Sequence, residues 1–216
     1  RNYGSLEGEK KASVVSAILL ALENEDVIFN VDKLQGLQGE GVKDGEILFD
    51  AIDKYLRNKS LMTHAKIGEL KDNFIFIQND LTLNRVRDDL GMTPLKYFAI
   101  KLNEKLKKNI KHADILGNFY GEFVKYGGSD GNSLGIVLTP RHITNLMCEL
   151  IDINENDYVL DPCCGSGGFL IAAMNKMLEK TNDENKKAEI KQEQLHGIEL
   201  QQKLFTIATT NMILRG

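Results

Sequence analysis

Hydrophobic residues recur every three to four positions through the first half of the chain, and this spacing predicts helices. It is clearest in residues 12–22, 44–56 and 93–106. Thr93 and Pro94 have the order of a helix start, an N-cap followed by proline at the first helical position. A fourth amphipathic stretch, residues 112–128, ends at Gly127 and Gly128. The first half is therefore predicted to be a helical bundle.

Two stretches depart from this helical pattern. Residues 74–80, FIFIQND, alternate like a strand, but their helical neighbours leave a short helix as an equal alternative. The polar, glycine-rich residues 127–135 are the best candidate for a boundary. We therefore predict a helical domain over residues 1–128 and a second domain over residues 129–216.

After the boundary the pattern changes to short apolar strands that alternate with helices. A second Thr-Pro helix start opens residues 139–151, and a strand follows at residues 157–161. A glycine-rich turn (165–168) then leads into a helix (168–180), and a second strand (195–200) is followed by a further helix (201–214). This order opens a doubly wound parallel sheet, so the predicted fold class is α/β. The charged residues 179–194 are predicted to be a solvated helix extension or a loop.

Composition narrows the range of functions only slightly. The net charge of −4 argues weakly against DNA binding by this chain alone. Its three cysteines, two of them adjacent, match neither a disulfide framework nor a zinc spacing, so we predict a reducing compartment and no metal site. No apolar run approaches the ~18 residues of a membrane span, and we expect a soluble, cytoplasmic protein without membrane contact.

The glycine-rich turn is the main candidate for chemistry. Asp161 closes the first strand, and Gly165, Gly167 and Gly168 lead into the next helix, whose N-terminus attracts an anionic group. The turn lacks the lysine of a phosphate-binding loop and is too short for the dinucleotide pattern. Glu199 ends the second strand, where a carboxylate can accept both hydroxyls of a ribose.

The acid at the end of the first strand narrows the choice of ligand. Asp161 would repel a diphosphate, but it suits a ligand that carries an ammonium or another cationic group. S-adenosylmethionine has a carboxylate, an ammonium, a sulfonium and a ribose. It therefore fits the turn and both acids, and we predict it as the cofactor.

Four motifs then resemble a known family. GIVLTP, DPCCGSGGFL, GIEL and TTNMILRG, in this order, resemble the amino-terminal half of the catalytic region of adenine-N6 DNA methyltransferases, specifically the modification subunit of type I restriction-modification systems. The stretch ADILGNFYGEFVKYGG resembles the helical amino-terminal domain of that subunit. The resemblance implies a helical domain followed by the beginning of a Rossmann-like S-adenosylmethionine-dependent methyltransferase domain.

The same resemblance assigns roles to particular residues. It implies that Thr139 and Pro140 lie near the methionine part of the cofactor, that Glu199 holds its ribose, and that the loop lines it through Asp161, Pro162, Gly165, Ser166 and Gly167. Plainer explanations stay open: Thr139 and Pro140 are explained as a helix N-cap and first residue, and Glu199 as a solvated strand end. The family usually has Ala at position 163 and Thr at 166. Since both replacements are small, the cysteines are not expected to be catalytic.

One family motif is missing. The methyltransferases hold the target amine with Asn or Asp, then Pro-Pro and an aromatic residue, whereas the prolines here, Pro94, Pro140 and Pro162, are not adjacent. We therefore expect an amino-terminal fragment that contains no catalytic residue and is inactive alone. Its two-stranded sheet is expected to be poorly ordered at its end or to pair with another copy.

The leading hypothesis is thus a fragment of a DNA adenine-N6 methyltransferase subunit. Its implied partners are DNA, a specificity subunit and a restriction subunit, because recognition of the DNA sequence is delegated in that family. Two alternatives remain at this point. One is a methyltransferase of another acceptor class, since the cofactor half of the fold says little about the acceptor. The other is a non-catalytic helical interaction module.

Overall fold

A computed structural model of the chain describes residues 8–22, 31–36, 41–58, 63–109 and 139–215. The chain divides into two compact units, Arg1–Ile115 and Leu116–Gly216. The predicted boundary after residue 128 and the predicted helix over residues 112–128 lie outside the described residues.

The described part of the first unit is helical. Its α-helices are α1 (Gly8–Leu22), α2 (Asp44–Asn58), α3 (His64–Phe74), α4 (Leu81–Asn84) and α5 (Pro94–Asn109). Two short 3-10 helices, Val31–Lys33 and Ile75–Gln78, lie between them. The helices predicted over residues 12–22, 44–56 and 93–106 are therefore confirmed.

The stretch FIFIQND is helical, so its interpretation as a strand is wrong. It forms the end of α3 and the 3-10 helix that continues from it. Phe74 and Ile77 are fully buried whereas Ile75 is 53% exposed. This is the three-residue period of a 3-10 helix, and a half-buried strand would bury every second side chain.

A buried carboxylate holds the starts of two helices in the first unit. Asp44, the first residue of α2, accepts hydrogen bonds from the N–H groups of Gln35 (2.6 Å) and Gly36 (3.0 Å) and from the hydroxyl of Thr93. The Thr93 Oγ1 in turn accepts from the N–H of Lys96 at 3.2 Å, so the predicted N-cap of α5 is confirmed.

The second unit has the predicted alternation of strands and helices. Its elements are α6 (Arg141–Leu150), β1 (Val159–Asp161), α7 (Gly168–Glu179), α8 (Glu184–Glu193), β2 (Leu195–Gly197) and α9 (Gln202–Ile213). The two strands are parallel, with Val159 opposite Leu195 and Asp161 opposite Gly197. The carboxyl ends of both strands therefore lie at the same edge of the sheet.

The charged stretch 179–194 is neither an extension of the preceding helix nor only a loop. Most of it is the separate helix α8, which starts because the Asp183 side chain accepts a hydrogen bond from the N–H of Asn185 at 2.9 Å. One apolar residue, Ile190, fixes this helix to the core because it is fully buried.

The core of the second unit lies between α7 and one face of the sheet. Ala172, Ala173, Met174 and Met177 of α7 are buried there, and Val159 and Leu195 of the strands pack against them. The side chains of Leu160 and Ile198 remain 62% and 58% exposed.

In the part of the chain that the structure describes, no helix is long and apolar enough to cross a membrane.

Candidate functional site

The loop between β1 and α7 exposes its backbone at Gly165. Gly165 and Gly167 have φ angles of 56° and 82°, a region that residues with a Cβ rarely adopt. A Cβ at Gly165 would have no heavy atom within 4 Å, so the backbone there faces open space. Gly167 is the N-cap of α7, and its N–H donates to the carbonyl oxygen of Cys164 at 2.8 Å. The open space beside Gly165 is where a ligand can approach the backbone closely.

Glu199 connects this loop to the end of the second strand. Its Oε2 accepts a hydrogen bond from the N–H of Gly165 at 2.9 Å, and its Oε1 accepts from the N–H of Gln201 at 2.7 Å. The N–H of Gly165 is thus used within the protein. A carboxylate has about four acceptor positions, so these two bonds leave capacity for hydroxyl donors.

Asp161 lies at the matching position on the first strand. Its Oδ1 accepts from the N–H of Cys163 at 3.1 Å, which fixes the start of the loop. The strand pairing continues past Asp161, because its carbonyl oxygen accepts from the N–H of Ile198 and the carbonyl of Ile198 accepts from Cys164. The structure therefore brings both predicted acids to one edge of the sheet, beside the glycine loop.

The two adjacent cysteines have different environments. Cys163 is exposed and Cys164 is buried. Burial, together with the nearby negative charges of Asp161 and Glu199, raises the pKa of the Cys164 thiol to about 11. This thiol is therefore protonated near neutral pH, which makes it a poor nucleophile. It packs as a small apolar group between strand and helix.

Two residues of this region were not predicted from the sequence. Asn211 of α9 donates a hydrogen bond from Nδ2 to the carbonyl oxygen of Ser166 at 2.9 Å. Gly197 of β2 has no room for a side chain, because a Cβ would lie 2.8 Å from Leu170 Cδ1 and 2.9 Å from the Cys164 sulfur. A glycine inside a strand and a polar residue inside an apolar helix were the signals available for them.

The remaining predicted residues stand apart from these hydrogen bonds. Helix α6 begins at Arg141, and Pro140 is its N-cap, with φ −61° and ψ 141°. The expectation that Thr139 is the N-cap and Pro140 the first helical residue is therefore wrong, because the Pro140 carbonyl accepts the first helical bonds, from Ile143 and Thr144. Thr139, Pro140 and Pro162 are exposed.

Acids at the ends of two adjacent parallel strands, with a glycine loop leading into a helix between them, are the arrangement of a Rossmann-like domain. Among the described residues no group of three or more His, Cys, Asp or Glu side chains is arranged to hold a metal ion.

Comparison with known proteins relates the second part of the chain to one family. Residues 111–216 match the family described as N-6 DNA Methylase. The whole chain is 62% identical to the type II restriction enzyme and methyltransferase RM.BcgI of Heyndrickxia coagulans, of which it covers 34%. Over 57% of its length it is 33% identical to the type I restriction enzyme EcoEI methylase subunit of Escherichia coli, of which it covers 25%.

A solved structure agrees with the fold. A chain assigned to the modification subunit of a type I restriction enzyme from Vibrio vulnificus YJ016 superposes with a TM-score of 0.53 over 96% of this chain and 48% of its own length. At 17% identity this likeness concerns the fold alone. The predicted family and α/β fold class are confirmed, and the chain spans about a third or less of the curated relatives named above.

Proposed function

We propose that the full-length protein containing this chain is a DNA methyltransferase of a restriction-modification system that transfers a methyl group from S-adenosylmethionine to the N6 amine of adenine. The observation that carries the proposal is the convergence of Asp161 and Glu199 on a glycine loop within the segment that matches the methylase family. The names of the relatives support the restriction-modification context.

The donor groups of the loop fit this cofactor. The open space at the Gly165 backbone admits a ligand, and Glu199 has acceptor positions left for two ribose hydroxyls. Asp161 offers a negative charge to an ammonium group. Pro162, Ser166 and Gly167 complete the loop, and we propose Thr139 and Pro140 near the methionine end. When bound, S-adenosylmethionine supplies a methyl group that its sulfonium already activates.

The residues of this chain bind and orient the cofactor. The acceptor amine has to be held by residues outside this chain. No adjacent prolines occur in the sequence, so the Asn/Asp-Pro-Pro-aromatic motif is absent from it. We therefore propose that the 216-residue chain does not transfer methyl groups by itself. Positioning of the two reactants is the main contribution that such an enzyme makes.

The proposed partners are DNA, a specificity subunit and a restriction subunit. The net charge of −4 agrees with recognition of DNA through a partner or another domain. The name of RM.BcgI, which matches over the whole chain, joins restriction and methyltransferase in one enzyme. We therefore also propose that the restriction activity can reside in the same full-length protein, which DNA cleavage by the purified protein would test.

The first test is calorimetric titration of the full-length protein with S-adenosylmethionine. We expect D161A and E199A each to weaken binding about 10- to 100-fold, because each removes a charged partner of the ligand. E193A, which removes an exposed glutamate of α8, is the matched control and should bind as the wild type does. Unchanged affinity in both loop variants would contradict the assignment of the site.

Transfer to adenine is tested separately by mass analysis of nucleosides from DNA incubated with the protein and cofactor. The expected product is N6-methyladenine. Methylation of another base would contradict the assignment of adenine as the acceptor.

A further inference from the structure

The side chain of Asn211 lies buried beneath the glycine loop. It is 1% exposed, in the carboxyl-terminal part of α9, and its Nδ2 donates to the Ser166 carbonyl at 2.9 Å. Its other amide atom, Oδ1, is buried and has no hydrogen-bond partner in the described part of the chain. An apolar residue at this position would avoid the buried unpaired oxygen. The Nδ2 donor is therefore the part of the Asn211 amide that has a role here.

The bond acts on the most easily rotated peptide of the loop. The peptide between Ser166 and Gly167 ends in a glycine, which adopts positive and negative φ about equally well. Rotation of this peptide would exchange the directions of the Ser166 carbonyl and the Gly167 N–H. Both groups are held, the carbonyl by Asn211 and the N–H by the Cys164 carbonyl at 2.8 Å.

We infer that Asn211 is a positioning residue for the cofactor, which fixes the Ser166–Gly167 peptide in the orientation that ligand binding requires. The inference rests on the proposed function of the loop. Asn211 acts from below, through the backbone of Ser166. Its donor group is the essential feature, because an aspartate would place a negative charge against a carbonyl oxygen.

The decisive variant is N211L in the full-length protein. Leucine has a similar size and removes the donor and the unpaired acceptor together, so the cost of leaving the Ser166 carbonyl without its donor is partly offset by removal of the buried unpaired oxygen. We expect the affinity for S-adenosylmethionine to fall about 10-fold, the effect of losing one well-placed hydrogen bond. Amide hydrogen exchange at Gly167 should become faster as well. N211A, which removes the donor without a bulky replacement, is measured in parallel and should give the same two changes.

Gln194 provides the matched control. It is another fully buried amide, and its Nε2 donates to the carbonyl oxygens of Glu155 (3.0 Å) and Asp157 (2.7 Å), before the first strand begins. Q194L should change the stability of the unit and leave the cofactor affinity unchanged.

The outcomes separate this inference from the proposed function. If the wild type binds and E199A weakens binding while N211L and N211A bind as the wild type does, the role of Asn211 is wrong and the proposed function stands. Equal losses of affinity in Q194L and N211L would reduce Asn211 to a structural residue. A wild type that does not bind S-adenosylmethionine would overturn both proposals.

Discussion

At the scale of single residues, the glycines of the second unit are required for different reasons. Gly165 and Gly167 are selected by their positive φ, whereas Gly197 is selected by lack of space. The side chains that exclude a Cβ at Gly197 belong to Leu170 and to Cys164, which itself lies in the loop. Close packing of the second strand against the loop therefore depends on the absence of a Cβ at Gly197.

We predict that G197A lowers the free energy of unfolding by about 1–3 kcal/mol, because the added methyl overlaps a packed side chain and a sulfur atom. Urea denaturation measures the change. G168A is the control, since a Cβ at Gly168 would meet nothing within 4 Å. A G197A protein as stable as G168A would contradict the packing described for β2.

The cysteines should differ in their reactivity with a thiol reagent. At pH 8 we expect Cys163 to react in the folded protein, and Cys148 and Cys164 to react only after unfolding, because these two are buried. C163S should abolish the rapid reaction. Rapid modification of either remaining thiol in C163S would contradict the burial of Cys148 or Cys164.

Cys164 also predicts a pH dependence of stability. Its folded-state pKa of about 11 lies above the ordinary value of 9.0, so its contribution is fully present below pH 9.0 and is lost as the pH rises through about 11. The stability of the wild type should therefore fall more steeply than that of C164A over this interval. Parallel slopes in urea denaturation at each pH would contradict the raised pKa.

The sequence predicted part of the candidate site at this scale. Asp161 and Glu199 were identifiable because each follows a short apolar run, and parallel strands place such residues at one edge. Asn211 and Gly197 could not be identified, because their roles depend on contacts with Ser166 and Cys164 that are distant in the chain. The sequence also gave no sign that Glu199 accepts the N–H of Gly165.

At the scale of elements, the same dipeptide starts two helices differently. Thr93 is an N-cap because its hydroxyl donates to Asp44 while its oxygen accepts from Lys96. Thr139 lies outside α6, where Pro140 is the N-cap and makes no side-chain cap bond. The local sequence predicted both helices. Only the threonine that precedes α5 acts as an N-cap, and this threonine also has a distant hydrogen-bond partner, Asp44. Residues 74–80 also had two interpretations from their local sequence, because their alternation fits a strand while the preceding helix α3 continues into them as a 3-10 helix.

This difference predicts unequal effects of removing the two threonines. T93A should lower the free energy of unfolding by about 1–2 kcal/mol, because it removes the cap and a donor to the buried Asp44 carboxylate. T139A, at an exposed position, should change it by less than about 0.5 kcal/mol. Urea denaturation followed by helical circular dichroism compares them, and equal effects would contradict the capping described here.

At the scale of the whole molecule, the second unit exposes apolar side chains beside its two strands. Leu160 and Ile198 are more than half exposed, and Leu200 is 97% exposed. Apolar groups in such a cluster favour association with another surface. This feature supports the expectation from the sequence that the chain pairs with another copy.

We predict that the 216-residue chain self-associates in a concentration-dependent manner during sedimentation velocity. The double variant L160K/I198K should sediment as a monomer, because it places two charges in the apolar cluster. L81K, which changes an exposed leucine of the first unit, is the control and should associate as the wild type does. A wild-type chain that is monomeric at all concentrations would contradict the prediction.

The hydrogen bonds of the glycine loop also have a consequence for synthesis on the ribosome. The acceptor for Gly165 lies 34 residues further along the chain, and the donor to Ser166 lies 45 residues further. A nascent chain that has emerged only as far as α8 therefore contains every glycine of the loop and neither of these partners. The loop can reach its final form only after α9 has left the exit tunnel, so its hydrogen bonds form well after its own glycines have been synthesised.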